Sequence, residues 1–507
     1  MTKILFITAD EQRFDALSCT GNNNTKTPNL DQIASEGINY QRAYVNNVTC
    51  MPSRATMVTG QYPATHGVFS NGVPLPINAP SFSSHLQNNG FKTALIGKSH
   101  LEPVMGSPED FWEVRAGGEN NFGPYRGFDH VMISSHGKGV ARNHYQVWME
   151  ENSPEEFEYY LNQQGSDGKL NTKGGGQTEA IQVHENNISY KNYHTNWLAD
   201  RSIDWLSDQE QEDDWFLWLS FGDPHHPYQP PSSQLNRVNW KNIDLPKAYI
   251  ESEEEIIKIL GNRPSHWLDF YKGISYPCGE APNSFVSSEM SSNQVCEINS
   301  MVYIMNEIID DAVGRVKDYL VKRGWDEDTH IIYTSDHGSL QGDYGLMFKG
   351  PFHVDSLMRV PLIWRPTKTI ENKNININVP VSLVDLAPTF CKCASIEIPS
   401  WMQGTPLPNN KSDHRDFVIV EWEQEHLGNT IQIQTIVTKN YICSQYKKTN
   451  RYPNGEGELY NYNNDSYQFN NLWNNNEFQT IKSELLLKLT ENLPMRREKK
   501  LKRIAGA

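Results

Sequence analysis

The chain has 507 residues, too many for one small core, so one large α/β domain with an appendage, or two to three modules, is expected. Hydrophobic residues make up 37% of it, which excludes global disorder, and a formal net charge of −16 argues against nucleic acid as the main partner, because neutralising phosphates takes a basic surface. No apolar run approaches the ~20 residues of a membrane span, so no membrane partner is expected.

The first twelve residues, MTKILFITADEQ, hold a short apolar stretch that ends in acids. A leader peptide has a longer apolar region and a small-residue cleavage site, so residues 3–9 read as a first strand. Seven cysteines, at 19, 50, 278, 296, 391, 393 and 443, form no disulfide framework. Their odd number without an export signal predicts a reducing, cytoplasmic location. Cys391 and Cys393 are too close for an easy bridge and lack zinc partners at the usual spacing, so they read as ordinary thiols near a helix end.

NLDQIASEG (29–37) is helix-like. The stretch NNVTCMPSRATMVTG (46–60) predicts a short helix with Ser53 as N-cap and Gly60 at the C′ position. Cys50 then lies just before a helix N-terminus, where backbone N–H groups favour anions, with Arg54 adding a fixed positive charge. Three readings stay open there: a buried thiol, a thiolate nucleophile, or a modified residue. FKTALIG (91–97), WFLWLSF (215–221) and THIIYTS (329–335) join KILFITA (3–9) as buried strands of a parallel sheet. Helical periodicity at 193–207 and 299–324 alternates with them, which predicts a doubly wound α/β sheet. Residues 150–190, with GSDGKLNTKGGG, read as an insertion or loop, and residues 240–295, punctuated by Pro and Ser, as a cover over the site or its rim. Trp112, Trp148, Trp240 and Trp267 read as packing or loop anchors rather than sugar platforms. After about 410 the pattern changes to antiparallel strands (DFVIVEW, NTIQIQTIVT, NYICSQY) and a helix near 478–492. The division expected is 1–405 for the α/β domain and 406–507 for a smaller C-terminal α+β subdomain on an antiparallel sheet. The basic MRREKKLKR reads as a solvated end, with a subunit contact in a homo-oligomer as the alternative.

Each of the four strands is followed at once by residues suited to chemistry: Asp10-Glu11, Lys98-Ser99-His100, Asp223-Pro224-His225-His226 and Asp336-His337-Gly338. In open α/β sheets ligands bind at the carboxyl ends of strands, so these clusters predict one shared site. Asp10, Glu11, Asp336 and His337 supply hard oxygen donors and one nitrogen. Grouped carboxylates repel unless a cation neutralises them, and the donor set favours calcium, magnesium or manganese over zinc. Lys98, His100, His225 and Lys349, the last in the Gly-rich loop GDYGLMFKGPF, can surround an anion and protonate a leaving oxygen.

Cys50-Met51-Pro52-Ser53-Arg54 followed by Thr59-Gly60 resembles the C-x-P-S-R signature of the type I sulfatases of the alkaline-phosphatase superfamily. TADEQRFDALSCTG, TPNLDQIASEGINYQRAYV, GKSH, DPHHPY, TSDHGSLQGDYGLMFKG and ELYNYNNDSYQFNNL resemble that family's further segments, in the expected order over nearly the whole chain. The resemblance implies an alkaline-phosphatase-like fold with a large, mixed, mostly parallel sheet. It implies oxidation of Cys50 to formylglycine by a formylglycine-generating or maturase enzyme, and a divalent metal, Ca2+ before Mn2+ or Mg2+, held by Asp10, Glu11, Asp336, His337 and the modified Cys50. Lys98, His100, His225, Lys349 and Arg54 would surround the nucleophile and the sulfate of a small-molecule or saccharide sulfate ester. In the implied mechanism a formylglycine hydroxyl attacks sulfur, and His225 or Lys349 protonates the departing alcohol. The second hydroxyl, deprotonated by His100, then expels sulfate and restores the aldehyde. Two departures stand out: Asp10-Glu11 where many members have Asp-Asp, and Asp336-His337 where many have Asp-Asn. The rival within the superfamily is phosphonate monoester or phosphodiester hydrolysis, in which Asn71 would resemble a substrate-contacting asparagine. Lys98 and His100 match the sulfatase pattern instead.

Overall fold

A computed structural model of the chain describes residues 1–134, 142–162, 175–274, 285–368, 374–410, 415–426 and 429–505. Most of the Gly-rich stretch at 165–176, and Cys278, lie outside the described residues. The elements that build the site are β1 (Lys3–Ala9), α1 (Cys50–Thr59), β2 (Lys92–Gly97), β3 (Trp215–Ser220), α2 (Ser292–Lys322) and β4 (Thr329–Ser335). Every residue of β1, β3 and β4 is buried. Strands covered on both faces need apolar side chains in both directions, which is why each has an uninterrupted apolar centre: Ile4–Ile7, Trp215–Leu219 and Ile331–Tyr333.

These strands form the middle of an eight-stranded sheet. Its order is Ile375–Ile377, Ile38–Tyr40, Leu362–Arg365, β4, β1, β3, β2, His130–Ile133. All neighbours are parallel except Leu362–Arg365, which runs against both of its neighbours. The sheet is therefore mixed and mostly parallel, as expected. Alternate residues of β1 feed opposite layers. Ile4 and Phe6 join a cluster that includes Met51, Ala55, Met57 and Val58 of α1. Leu5, Ile7 and Ala9 join a second cluster with Ile309, Ala312, Val313, Val316 and Leu320, the three-and-four-spaced stripe of α2. α2 begins seven residues before the 299 expected from periodicity because Ser291 and Gln294 form a reciprocal capping box there.

The C-terminal strands Phe417–His426, Asn429–Thr438, Tyr441–Tyr446 and Glu456–Asn461 form an antiparallel sheet in that order. One face, with Ile419, Ile436, Cys443 and Leu459, packs on Leu485 and Leu489 of the helix Gln479–Glu491. The other, with Val418, Val420, Trp422 and Ile433, joins the cluster that holds α1. The period of two thus seals this sheet onto the main core. The basic end keeps its cations exposed, as expected, while its backbone is tied to the main domain: Arg497 N–H donates to Ala64 O at 2.8 Å and Ile504 N–H to Gly72 O at 2.9 Å.

Candidate active site

Register places the four strand ends at one level. Thr8 pairs with Ser220 and Ala9 with Ser335, while Gly97 pairs with Ser220. Asp10, Lys98 and Asp336 therefore emerge side by side, with Lys98 N–H donating to Ser220 O at 2.8 Å and Asp10 N–H to Asp223 O at 2.9 Å. The seam is tight enough to require Gly97, whose φ is +120° and whose Cβ would stand 1.8 Å from Ser220 O.

α1 faces this level, and it starts earlier than its sequence suggests. Thr49 is the N-cap and Cys50 is already the first helical residue. Ser53 is no cap; its Oγ donates to Asp336 O at 2.5 Å, tying the helix to the end of β4. The Thr49 hydroxyl donates to Asn47 Oδ1 at 2.6 Å, so capping falls to a distant residue: Met51 N–H donates to Asn71 Oδ1 at 3.0 Å. Asn71, expected at the substrate, is thus fixed through the helix start beside Cys50. Gly60 does take the left-handed C-terminal position, with φ +64°.

Asp10, Cys50, Asp336 and His337 each offer a ligand atom, all within 4.8 Å of one another and all buried. His337 Nδ1 lies 2.8 Å from Gly338 O and can only donate to it, so the lone pair of the neutral ring sits on Nε2. That nitrogen is 3.1 Å from Cys50 Sγ and 3.9 Å from both Asp10 Oδ1 and Asp336 Oδ1. Lys98 Nζ pairs with Asp10 Oδ2, and Arg54 Nε with Asp336 Oδ2 at 2.8 Å. Two carboxylates and an imidazole lone pair, each held from behind, fit a hard divalent cation. Glu11, expected among the same donors, stands apart. It groups with His225 and His226, its Oε2 lying 3.0 Å from Lys349 Nζ and 3.3 Å from His225 Nε2. Burial alone would raise its pKa, but Lys349, with His226 and His337, holds the carboxyl well below its usual range.

Lys349 is the hinge between the two groups, with Nζ 3.5 Å from Cys50 Sγ and 3.0 Å from His225 Nε2. His225 Nδ1 is turned to His226 O at 2.5 Å, which aims Nε2 inward. Arg54, expected around the nucleophile and the sulfate, uses most of its donors to tie the strand ends together. Its Nε and Nη1 go to Asp336, Lys98 O at 2.7 Å and Ser220 Oγ at 2.9 Å, while Nη2 is buried with no hydrogen-bond partner among the described residues. His100 lies in the loop after β2 with φ +56° and is buried. Burial, with Asp10 beside it, pushes the Cys50 thiol well above its ordinary pKa, more than Lys349 and Lys98 offset. An unmodified Cys50 is therefore a neutral thiol near pH 7, not the activated thiolate considered above.

His226, part of a strand-end cluster in the sequence, and two residues that the sequence reading missed, Ser339 and Glu113, complete the surroundings. His226 packs edge-on against Tyr228 and Phe348, as a bland neighbour should, yet its Nδ1 also lies 3.7 Å from Glu11 Oε2. Ser339 Oγ donates to Glu11 Oε1 at 2.9 Å. Glu113 holds the loop behind Lys98: its Oε1 accepts from Ser99 Oγ at 2.8 Å, Leu101 N–H at 3.0 Å and Tyr125 OH at 2.8 Å. Ser339 follows a strand end and was open to inspection, whereas nothing local marks Glu113. Of the four tryptophans, Trp267 is fully buried and Trp112 stacks on Tyr125, in line with packing roles.

The family described as sulfatase matches residues 2–396, and the C-terminal region of N-sulphoglucosamine sulphohydrolase matches residues 342–494. The chain is 25% identical to the N-acetylglucosamine-6-O-sulfatase of Bacteroides thetaiotaomicron, over 96% of this chain and 85% of that protein. It is also 25% identical to an arylsulfatase of Clostridium perfringens, over 94% and 91%. In fold it is similar to the phosphonate monoester hydrolase of Agrobacterium radiobacter, with a TM-score of 0.76 at 22% identity over 97% of this chain and 96% of that one. With the sulfatase match spanning most of its length, the chain belongs to the sulfatase family, the type I sulfatases of the alkaline-phosphatase superfamily, and is a sulfuric ester hydrolase.

Proposed function

We propose that the chain hydrolyses small-molecule or saccharide sulfate esters with residue 50, oxidised to formylglycine, as nucleophile. The observation that carries this is the convergence on Cys50 Sγ of His337 Nε2 at 3.1 Å, Lys349 Nζ at 3.5 Å and Asp10 Oδ1 at 3.7 Å, around a thiol that burial keeps neutral. Asp10, Asp336 and His337, with residue 50, would hold a divalent cation, Ca2+ before Mn2+ or Mg2+. When bound, the cation would supply charge stabilisation at the sulfate oxygens. Glu11 serves the same site from its neighbouring group by fixing Lys349 and His225.

Lys98 and Lys349 set two positive charges around the position of the sulfate, and the unpartnered Arg54 Nη2 offers a buried donor beside them. His225 Nε2 and Lys349 Nζ, 3.0 Å apart, share the proton that the departing alcohol needs. His100 takes the proton of the second hydroxyl. Cys50 is 1% exposed, so an oxidising maturase must reach it before the fold closes.

The rival, phosphonate or phosphodiester hydrolysis, shares the fold, and the two part at the substrate. Purified protein with an aryl sulfate and the matching aryl phosphonate, at equal concentrations, tests the choice. The sulfate is expected to turn over at least about tenfold faster in kcat/KM, a difference of about 1.4 kcal/mol in the barrier. Faster phosphonate turnover would overturn the proposal.

A further inference from the structure

The docked basic end packs on the segment that follows the nucleophile helix α1. Residues 495–505 run beside residues 63–72, the segment directly downstream of α1. Thr65 Oγ1 donates to Met495 O at 2.7 Å, Arg497 N–H to Ala64 O at 2.8 Å and Ile504 N–H to Gly72 O at 2.9 Å. Lys500 lies over the Phe69 ring, 4.6 Å from its centre. Two glycines make the fit: a Cβ on Gly67 would stand 2.8 Å from Arg497 Cδ, and one on Gly72 would stand 2.1 Å from Ala505 O and 3.1 Å from Arg503 Nε. Gly72 N–H in turn donates to Met51 Sδ at 3.1 Å, and Asn71 caps Met51 N–H. A continuous set of contacts thus joins Arg503 to Asn71-Gly72, to Met51, and so to Cys50.

Only two of the strap's cations are spent on the protein among the described residues. Arg496 and Lys500 pair with Glu423. Arg497, Lys499, Lys502 and Arg503 are exposed and form no ion pair with the described residues. In a chain of net charge −16, a cationic lip beside the helix that carries Cys50 draws anions to that place rather than elsewhere.

We propose that the C-terminal strap is a specificity element, in which Arg503, laid across Gly72, binds a second anionic group, sulfate or carboxylate, of a polyanionic saccharide whose scissile sulfate sits at residue 50. This deepens the sulfate-ester reading and rests on it for the occupant of the pocket. Direct binding tests it without needing turnover: calorimetric titration of sucrose octasulfate into the full chain at low salt, for wild type, Arg503→Glu and Lys322→Glu. Lys322 is an exposed cation at the end of α2, near the amino end of β4, and carries the same charge change away from the site. Arg503→Glu is expected to weaken binding at least about tenfold, and Lys322→Glu less than about twofold. No binding by wild type, equal binding by wild type and Arg503→Glu, or equal weakening by both variants overturns the strap. Aryl sulfate turnover by the same wild-type preparation is the second readout. Its absence, with the Arg503-dependent binding intact, would strike the hydrolase reading and leave the strap standing.

Discussion

Glu113 carries a prediction whose sign is fixed by pH. It is buried behind the Lys98–His100 loop, and burial together with Glu102 raises its pKa from the ordinary 4.5 to about 7, against hydrogen bonds from Ser99 and Tyr125. The folded protein therefore holds this proton more tightly than the unfolded chain does. Its contribution is fully present below about pH 4.5 and is lost as pH rises through about 7, so stability falls across that window. The shift corresponds to about 3 kcal/mol. Glu113→Gln keeps an oxygen to accept from Ser99 Oγ, Leu101 N–H and Tyr125 OH and never ionises. At roughly 1 kcal/mol per kelvin for a chain of this length, the variant should melt about 3 °C above wild type at pH 8 and level with it at pH 5. Differential scanning fluorimetry of both proteins at one scan rate reads this directly. An equal melting difference at the two pH values would refute the reasoning, as would a variant less stable at pH 8 than at pH 5 relative to wild type.

Gly97→Ala forces a Cβ to 1.8 Å from Ser220 O at a φ of +120°; it should cost at least about 3 kcal/mol and lower soluble yield and melting temperature, and near-wild-type stability would contradict the tight seam. Arg54→Lys keeps a charge near Asp336 but loses the bonds to Lys98 O and Ser220 Oγ; a drop of about 2 kcal/mol in stability and of at least tenfold in kcat/KM is expected. Chelation should abolish turnover and lower the melting temperature by about 4 °C where the ion had been at about a thousand times its dissociation constant; Ca2+ should restore both better than Zn2+.

How much was visible in the sequence depended on how locally each feature is encoded. β1 and β4 span the residues expected, because each is centred on a short apolar run, Ile4–Ile7 and Ile331–Tyr333, that strands buried on both faces require. The strand-end clusters followed from those edges. Leu362–Arg365, only four residues long and antiparallel within a parallel sheet, has no such signature. The start of α1 was misplaced because Ser53 has the right chemistry for a cap, while the groups that satisfy the helix start lie twenty residues on, at Asn71. Glu11 belongs with the expected donors by sequence, but Lys349 and His225 draw its carboxylate to one side. Glu113 and the docked C-terminal strap depend on tertiary contacts alone: a glutamate in a short helix and a run of cations look like solvated surface until their partners are placed.

The nucleophile is the centre of the account, and one mass tests it. The tryptic peptide containing Cys50, taken from a preparation that turns over an aryl sulfate, should be about 18 Da lighter than its cysteine form, as oxidation of the thiol to the aldehyde requires. An active preparation in which that peptide carries only cysteine would contradict it.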